Sequence, residues 1–334
     1  MLIVYCQLAA QDTVVLSKNG RRSNIIGKVT IISNSEVVVS HNETDRQIPA
    51  NEVLRISFAD DPTELRSARN AIIGGQLEQG LDSLVTLKSD SVENKFVRQD
   101  IEFYRAYAGA LLALRGTGNA DDAVRNLVEF ARNQRDSYHY FESLKLLGDL
   151  AMSLGSFENA IKYYAQFGQA PFADFAMHGT ILQAHALRAN ENYEAAVKMY
   201  DKVIQQKEND AEAARQKAFA QIGKSVCLAL RGNTGDSVQT IEGILADRDP
   251  ADTELFSHAY CALGIVYQSA NRPMDAALAF LHVDILFFHQ RDAHAEALYH
   301  LSNLWKQLDK PERAVETRKI LTERYGGTVW AKRS

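Results

Sequence analysis

Leu147-Gly148-Asp149-Leu150-Ala151-Met152-Ser153-Leu154-Gly155-Ser156-Phe157-Glu158-Asn159-Ala160-Ile161-Lys162-Tyr163-Tyr164-Ala165-Gln166-Phe167 decides the fold, because the pattern of its second half recurs along the chain. Phe157, Ala160, Tyr164 and Phe167 are followed by Tyr193, Ala196, Tyr200 and Val203, and further on by Ala276, Phe280 and Val283. In each copy a small residue stands four places before an aromatic one, so two helices can touch at the first and lock at the second. The unit returns about every 36 to 43 residues. Such a period marks stacked helical hairpins, none of which can bury its apolar face alone.

Outward from this stretch, the helical pattern extends over residues 61–334. It starts at Asp61-Pro62-Thr63-Glu64, where Asp61 can cap free backbone N–H groups, Pro62 suits the first helical position and Glu64 can complete a capping box. Joints near Gly74-Gly75, Arg115 to Asn119, Gly155, Asn190 to Asn192, Arg231 to Gly235, Asn271 to Pro273 and Asp309 to Pro311 divide it into about seven hairpins. Gly148, Gly223 and Gly264 let first helices approach closely, and Ala160, Ala196, Ala276 and Ala314 do so from second helices. Adjacent Phe287 and Phe288 cannot both face one stripe of a helix, which leaves one of them exposed.

The third, sixth and seventh units resemble tetratricopeptide repeats (TPRs). Leu147-Gly148, Ala151, Gly155, Phe157, Ala160, Tyr164 and Phe167 occupy the family's signature positions, as do Leu263-Gly264, Tyr267, Ala276 and Phe280, and then Leu301-Ser302, Trp305 and Ala314. The spacing exceeds the family's period of about 34 residues, and Gly116-Thr117-Gly118 and Gly232-Asn233-Thr234-Gly235 are glycine-rich insertions. The ending Glu323 to Ala331 resembles the tail of bacterial envelope proteins built from these repeats, which implies that Trp330 belongs to a cap over the last apolar edge.

Ahead of the array, residues 12–60 change to period two. Thr13–Leu16, Gly27–Ile32, Glu36–Val39 and Val53–Phe58 are parted by turn chemistry at Lys18-Asn19-Gly20, Ser33-Asn34-Ser35 and His41-Asn42-Glu43. Four or five short antiparallel strands are expected to close into a small barrel. Their order resembles SH3-like and Sm-like barrels, but no aromatic groove or basic platform accompanies it, so the module reads as a docking or capping piece. The expected fold is therefore mainly α, a TPR-like superhelical solenoid preceded by a small antiparallel β-barrel-like domain.

A net charge of −5 lacks the basic stripe that a nucleic-acid binder needs. No run approaches the roughly 18 apolar residues of a membrane helix. Met1–Ala10 is apolar and ends in Leu8-Ala9-Ala10, so residues 1–11 read either as a truncated signal peptide or as a first strand of the β domain. Export to a bacterial periplasm or envelope follows from the first reading and a cytoplasmic scaffold from the second. Three cysteines make no disulfide framework, and Cys227 and Cys261 are out of register on neighbouring first helices, so they read as buried free thiols.

No Gly-x-x-x-x-Gly-Lys-Ser/Thr loop, Gly-x-Ser-x-Gly elbow, Cys-x-x-Cys or His-Glu-x-x-His occurs. No catalytic constellation, cofactor or metal site is expected. Glu296 and His300 share i, i+4 spacing, which reads as an ordinary pair rather than a metal site. Asn42-Glu43-Thr44 matches a glycosylation sequon.

The TPR resemblance implies a concave groove lined by first helices. Aligning on Gly148, Ala184, Gly223, Gly264 and Ser302 picks Lys145, Asp149, His185, Arg188, Lys217, Lys224, Gln268, Tyr299 and Asn303, with Glu142, His178 and His258 beside them. Arg188, Lys217 and Lys224 would suit an extended peptide with acidic or C-terminal carboxylate groups, although the asparagines of the chaperone-binding carboxylate clamp are absent. The alternative is a set of solvated helix faces. The expected function is a non-catalytic protein-interaction scaffold, or else an accessory or regulatory subunit of an enzyme.

Overall fold

A computed structural model describes residues 11–18, 20–42, 44–208 and 210–333. The Met1–Ala10 stretch with Cys6, Asn19 of the first turn and Glu43 of the sequon lie outside the described residues. Backbone contacts group the chain into two compact units, one of Met1–Leu112 with Asn119–Leu146, the other of Ala113–Gly118 with Leu147–Ser334. Among the described residues, no helix is long and apolar enough to cross a membrane.

The first unit opens with β1 (Asp12–Lys18), β2 (Arg21–Ile32), β3 (Glu36–His41), β4 (Thr44–Pro49) and β5 (Val53–Ser57). They form one antiparallel sheet in the order β4-β3-β2-β1-β5. The first half of β2 pairs with β1 and the second half with β3, across a register shift between Val29 and Ile31. The expected barrel does not close. β4 carries Thr44, Asp45, Arg46 and Gln47 exposed and buries only Ile48, so it offers no apolar face to a further strand and stays a polar edge.

Four helices follow in this unit, α1 (Thr63–Ile73), α2 (Leu77–Val85), α3 (Lys95–Arg115) and α4 (Ala120–Asn133). Asp61 does not cap α1, and Pro62 stands at the cap position instead of inside the first turn. The carboxylate of Asp61 accepts from the Phe58 N–H at 3.0 Å and from Arg69 at 2.7 Å. Arg69 is 2% exposed and a buried guanidinium needs charged acceptors, so it draws Asp61 inward and also reaches Asp100 on α3. Tyr138 donates to the same Asp100 at 3.3 Å, and the His139 ring stacks on Phe103 with centroids 3.5 Å apart.

The remaining helices are α5 (Tyr140–Ser153), α6 (Phe157–Phe167), α7 (Ala173–Ala189), α8 (Tyr193–Ile204), α9 (Ala211–Leu230), α10 (Gly235–Asp247), α11 (Thr253–Ser269), α12 (Pro273–Leu286), α13 (Arg291–Gln307), α14 (Pro311–Tyr325) and the short α15 (Val329–Lys332). Counting from α1, they make the seven expected hairpins before α15. Each joint holds one residue in the left-handed region: Gly75, Gly116, Gly155, Glu191, Gly232, Asn271 and Asp309. One such residue reverses the chain after a helix while freeing the last carbonyls for capping bonds.

Within the second unit, first helices α7, α9, α11 and α13 pack on their successors, while each second helix packs on its neighbours in sequence. A Cβ on Gly148 would lie 2.3 Å from the Tyr164 ring, and one on Gly264 would lie 2.4 Å from the Phe280 ring. Gly223 differs, because the ring against it belongs to Tyr200 of the preceding hairpin. Ala160, Ala196, Ala276 and Ala314 are fully buried. Phe287 is buried and Phe288 is exposed, and Cys227 and Cys261 are buried free thiols.

At the C-terminal end, Trp330 on α15 packs against Tyr299 and His300 of α13, with centroids 5.4 and 5.6 Å apart. The same segment returns to the beginning of the unit. Lys332 donates to the Ser153 carbonyl at 3.1 Å, and Gly116 meets Gly327 so closely that a Cβ there would lie 2.6 Å from the Gly327 nitrogen.

Candidate functional site

The inner layer of first helices in the second unit carries most of the residues expected to bind, but it uses them unequally. Lys224 is already engaged, in a 2.6 Å ion pair with Asp201 of α8. Asp149 accepts from the Tyr164 hydroxyl at 2.7 Å and so steadies the ring that locks the α5–α6 joint. Tyr299 is covered by Trp330 and by the Arg333 guanidinium. Asn303 is exposed and donates to the Tyr299 carbonyl at 3.2 Å. Lys217 on α9 and Gln268 on α11 are half-buried. Lys145 is half-buried too, on the part of α5 that belongs to the first unit.

His185 and Arg188, one turn apart on α7, are brought together with Tyr200, whose ring lies 5.8 Å from that of His185. Tyr200 is fully buried because its ring fills the space beside Gly223. Opposite stands α13 with Glu296, buried, and His300, whose ring stacks on Phe280 at 4.8 Å and 1°. Glu296 is near enough for its charge to act on Arg188, and both act on Cys261.

Nε of Arg188 and Oε1 of Glu296 are enclosed here without a hydrogen-bond partner among the described residues, while the Tyr200 hydroxyl is within reach of the Arg188 guanidinium. Such atoms cost stability unless something satisfies them. Burial, reinforced by the Arg188 charge, pushes His185 well below its ordinary range and His300 down to about 3. Both rings are therefore neutral at pH 7. Burial works against the charge of Arg188 too, but Tyr200 and Glu296 outweigh it and keep the guanidinium protonated.

Sequence reading found His185 and Arg188 here, treated Tyr200 as a packing residue and did not place Glu296 in the groove. The signal for Glu296 was present: it stands six residues before Ser302, as Glu142, His178, Lys217 and His258 stand before Gly148, Ala184, Gly223 and Gly264. No group of three or more potential metal ligands occurs among the described residues. A shallow cleft in the first unit, lined by Ser89, Glu102, Arg105, Asn126, Glu129 and Asn133, offers less. Arg105 there is spent on the Leu84 and Leu87 carbonyls.

This geometry defines a class, a helical-hairpin repeat protein. Residues 142–167 and 181–210 match the family model described as tetratricopeptide repeat. The fold is similar to that of a tetratricopeptide repeat protein from Parabacteroides merdae, with a TM-score of 0.54 and 15% identity over 78% of this chain and 91% of that one. Weaker likenesses include the apo form of RapI, with a TM-score of 0.44 and 10% identity over 78% of this chain and 75% of that one. Another is MamA from Desulfovibrio magneticus, with a TM-score of 0.32 and 19% identity over 55% of this chain and 93% of that one. No curated protein matches the chain. The architecture is thus a TPR-like solenoid behind a five-stranded open sheet, a fold generally used for non-catalytic protein interaction.

Proposed function

We propose that this protein is a non-catalytic scaffold that holds an extended segment of a partner protein against the inner layer of α7, α9, α11 and α13. The observation that carries this reading is a repeat fold whose first helices set the accessible polar side chains of Lys217, Gln268 and Asn303 along one layer. A segment laid along that layer would meet these groups. The β sheet then serves to dock or orient the array.

Affinity purification of the tagged full chain from its native host, beside Arg188→Ala, tests the reading. A partner retained by the unaltered protein and lost from the variant supports it. A partner retained equally by both removes the inner layer from the function. The apolar beginning of the chain supports export, and N-terminal sequencing of the same preparation checks it, since retention of Met1 contradicts cleavage after Ala10.

A further inference from the structure

The second helix of the sixth hairpin, α12, is apolar on both faces. Ala276, Phe280, Val283 and, at its end, Phe287 form the stripe buried against the neighbouring helices. On the opposite side lies a second stripe, Met274, Leu278, Leu281 and Ile285, with the same 4-3-4 spacing. Met274, Leu278 and Ile285 are each more than half exposed, as are Leu286 and Phe288 beside them, and Leu281 is half-buried. The other second helices of this unit turn polar faces outward: α6, α8 and α10 expose no large apolar side chain, and α14 exposes only Val315. A helix apolar all round belongs where both of its faces are covered.

The five exposed side chains present roughly 500 Å² of apolar surface, near the top of what a monomer leaves uncovered. The charges around them are already engaged within the chain, Arg272 with Asp275 at 2.7 Å and Asp284 with His294 at 2.8 Å. Nor does α12 carry the lysines or arginines that favour an anionic lipid surface. The cover is therefore another apolar stripe.

A second copy of this chain supplies one that fits. The 4-3-4 spacing reads the same in both directions, so a two-fold axis between Leu278 and Leu281 matches the stripe to itself. With the two helices antiparallel, Met274 meets Ile285 of the second copy and Leu278 meets its Leu281, as in a coiled-coil seam. Asp275 then falls on the same flank as His282 of the second copy, while the two copies of Asp284 stand about 13 Å apart along the axis. No like charges meet, and the helix dipoles oppose. Two such stripes bury roughly 1,000 Å² together, the area that a specific interface must reach.

We propose that α12 is the centre of a homodimer interface, paired antiparallel with α12 of a second copy about an axis between Leu278 and Leu281. The proposal does not depend on what the inner layer binds.

Sedimentation equilibrium of the full chain tests it. The mass is expected to rise with concentration to twice 37.2 kDa, with a Kd on the order of 10 µM for an interface of this size. Leu278→Glu with Ile285→Glu, both facing solvent in the monomer, is expected to raise that Kd roughly tenfold or more by setting carboxylates in the seam. Orientation is read by a short bismaleimide in a Cys6→Ser background, where Cys227 and Cys261 are buried. Met274→Cys with Ile285→Cys is expected to link two chains. Met274→Cys alone is not, because its two copies stand about 16 Å apart along the axis.

A monomer at every concentration up to about 100 µM, well above the Kd expected for this area, overturns the proposal; if that monomer sediments with phosphatidylcholine vesicles, the stripe belongs to a lipid surface. A dimer indifferent to the two glutamates overturns it as well, by placing the interface elsewhere. Failure of the cysteine pair to link, or equal linking by Met274→Cys alone, overturns the antiparallel seam. The unaltered chain and the cysteine variants decide the question even if the glutamate variant fails to fold.

Discussion

Nη2 of Arg69 on α1 lies 2.7 Å from Oδ2 of Asp100 on α3, and the two side chains are 2% and 1% exposed. The same guanidinium holds Asp61 just ahead of α1, so one buried cation ties the start of the helical array to its second hairpin. Arg69→Ala strands two carboxylates and is expected to cost about 3–5 kcal/mol in denaturant unfolding. Adding Asp61→Asn and Asp100→Asn to that variant is expected to restore part of the loss. A loss under about 1 kcal/mol would show that the pair contributes no more than a surface ion pair does.

Histidines in the two units give opposite pH dependences. His139 lies 3.5 Å from Asp100 and 3.3 Å from Glu142, and although burial opposes its charge, these carboxylates raise its pKa above the ordinary 6.5. Its contribution is complete below that value and is lost as pH rises through the folded pKa. His185 and His300 are lowered, so the stability they permit is complete above 6.5 and is lost as pH falls, for His300 toward about 3. Urea unfolding across pH should show a shallower acid limb in His300→Gln and a shallower alkaline limb in His139→Gln. Unchanged slopes would refute the assignment.

At the α11–α12 joint, a Cβ on Gly264 would lie 2.4 Å from the Phe280 ring. Gly264→Ala is expected to lose about 1–3 kcal/mol by overpacking. Phe280→Leu in the same chain should cost less than it does alone, because each change relieves the other. Strict additivity in the double-mutant cycle would mean that the contact is not shared.

Glu191 holds φ of 59° at the α7–α8 joint, a conformation that suits glycine. Glu191→Gly should therefore raise stability by up to about 1 kcal/mol. Asn271→Gly and Asp309→Gly should gain less, since asparagine and aspartate tolerate this region. Thermal denaturation ranks the three, and a destabilised Glu191→Gly would contradict the argument.

The array was legible in sequence because its joints and contacts are local. Gly155 and Asn271 announce a reversal, and Gly148 with Tyr164 or Gly264 with Phe280 lie within one hairpin, where spacing alone decides whether they meet. Sheet closure was not legible, because strand patterning shows which residues alternate but not whether a polar edge such as β4 finds a partner. The site was legible by halves. Helical spacing places Arg188 and Lys224 on inner faces, yet it does not show that Asp201 takes Lys224 or that Glu296 from a distant hairpin stands near Arg188.

The return of Lys332 to Ser153 and of Gly327 to Gly116 gives the second unit the mechanics of a fastened hoop. An open solenoid stretches like a spring and frays from either extremity one repeat at a time. With its two extremities clasped, this unit resists extension, and release of the clasp frees both together.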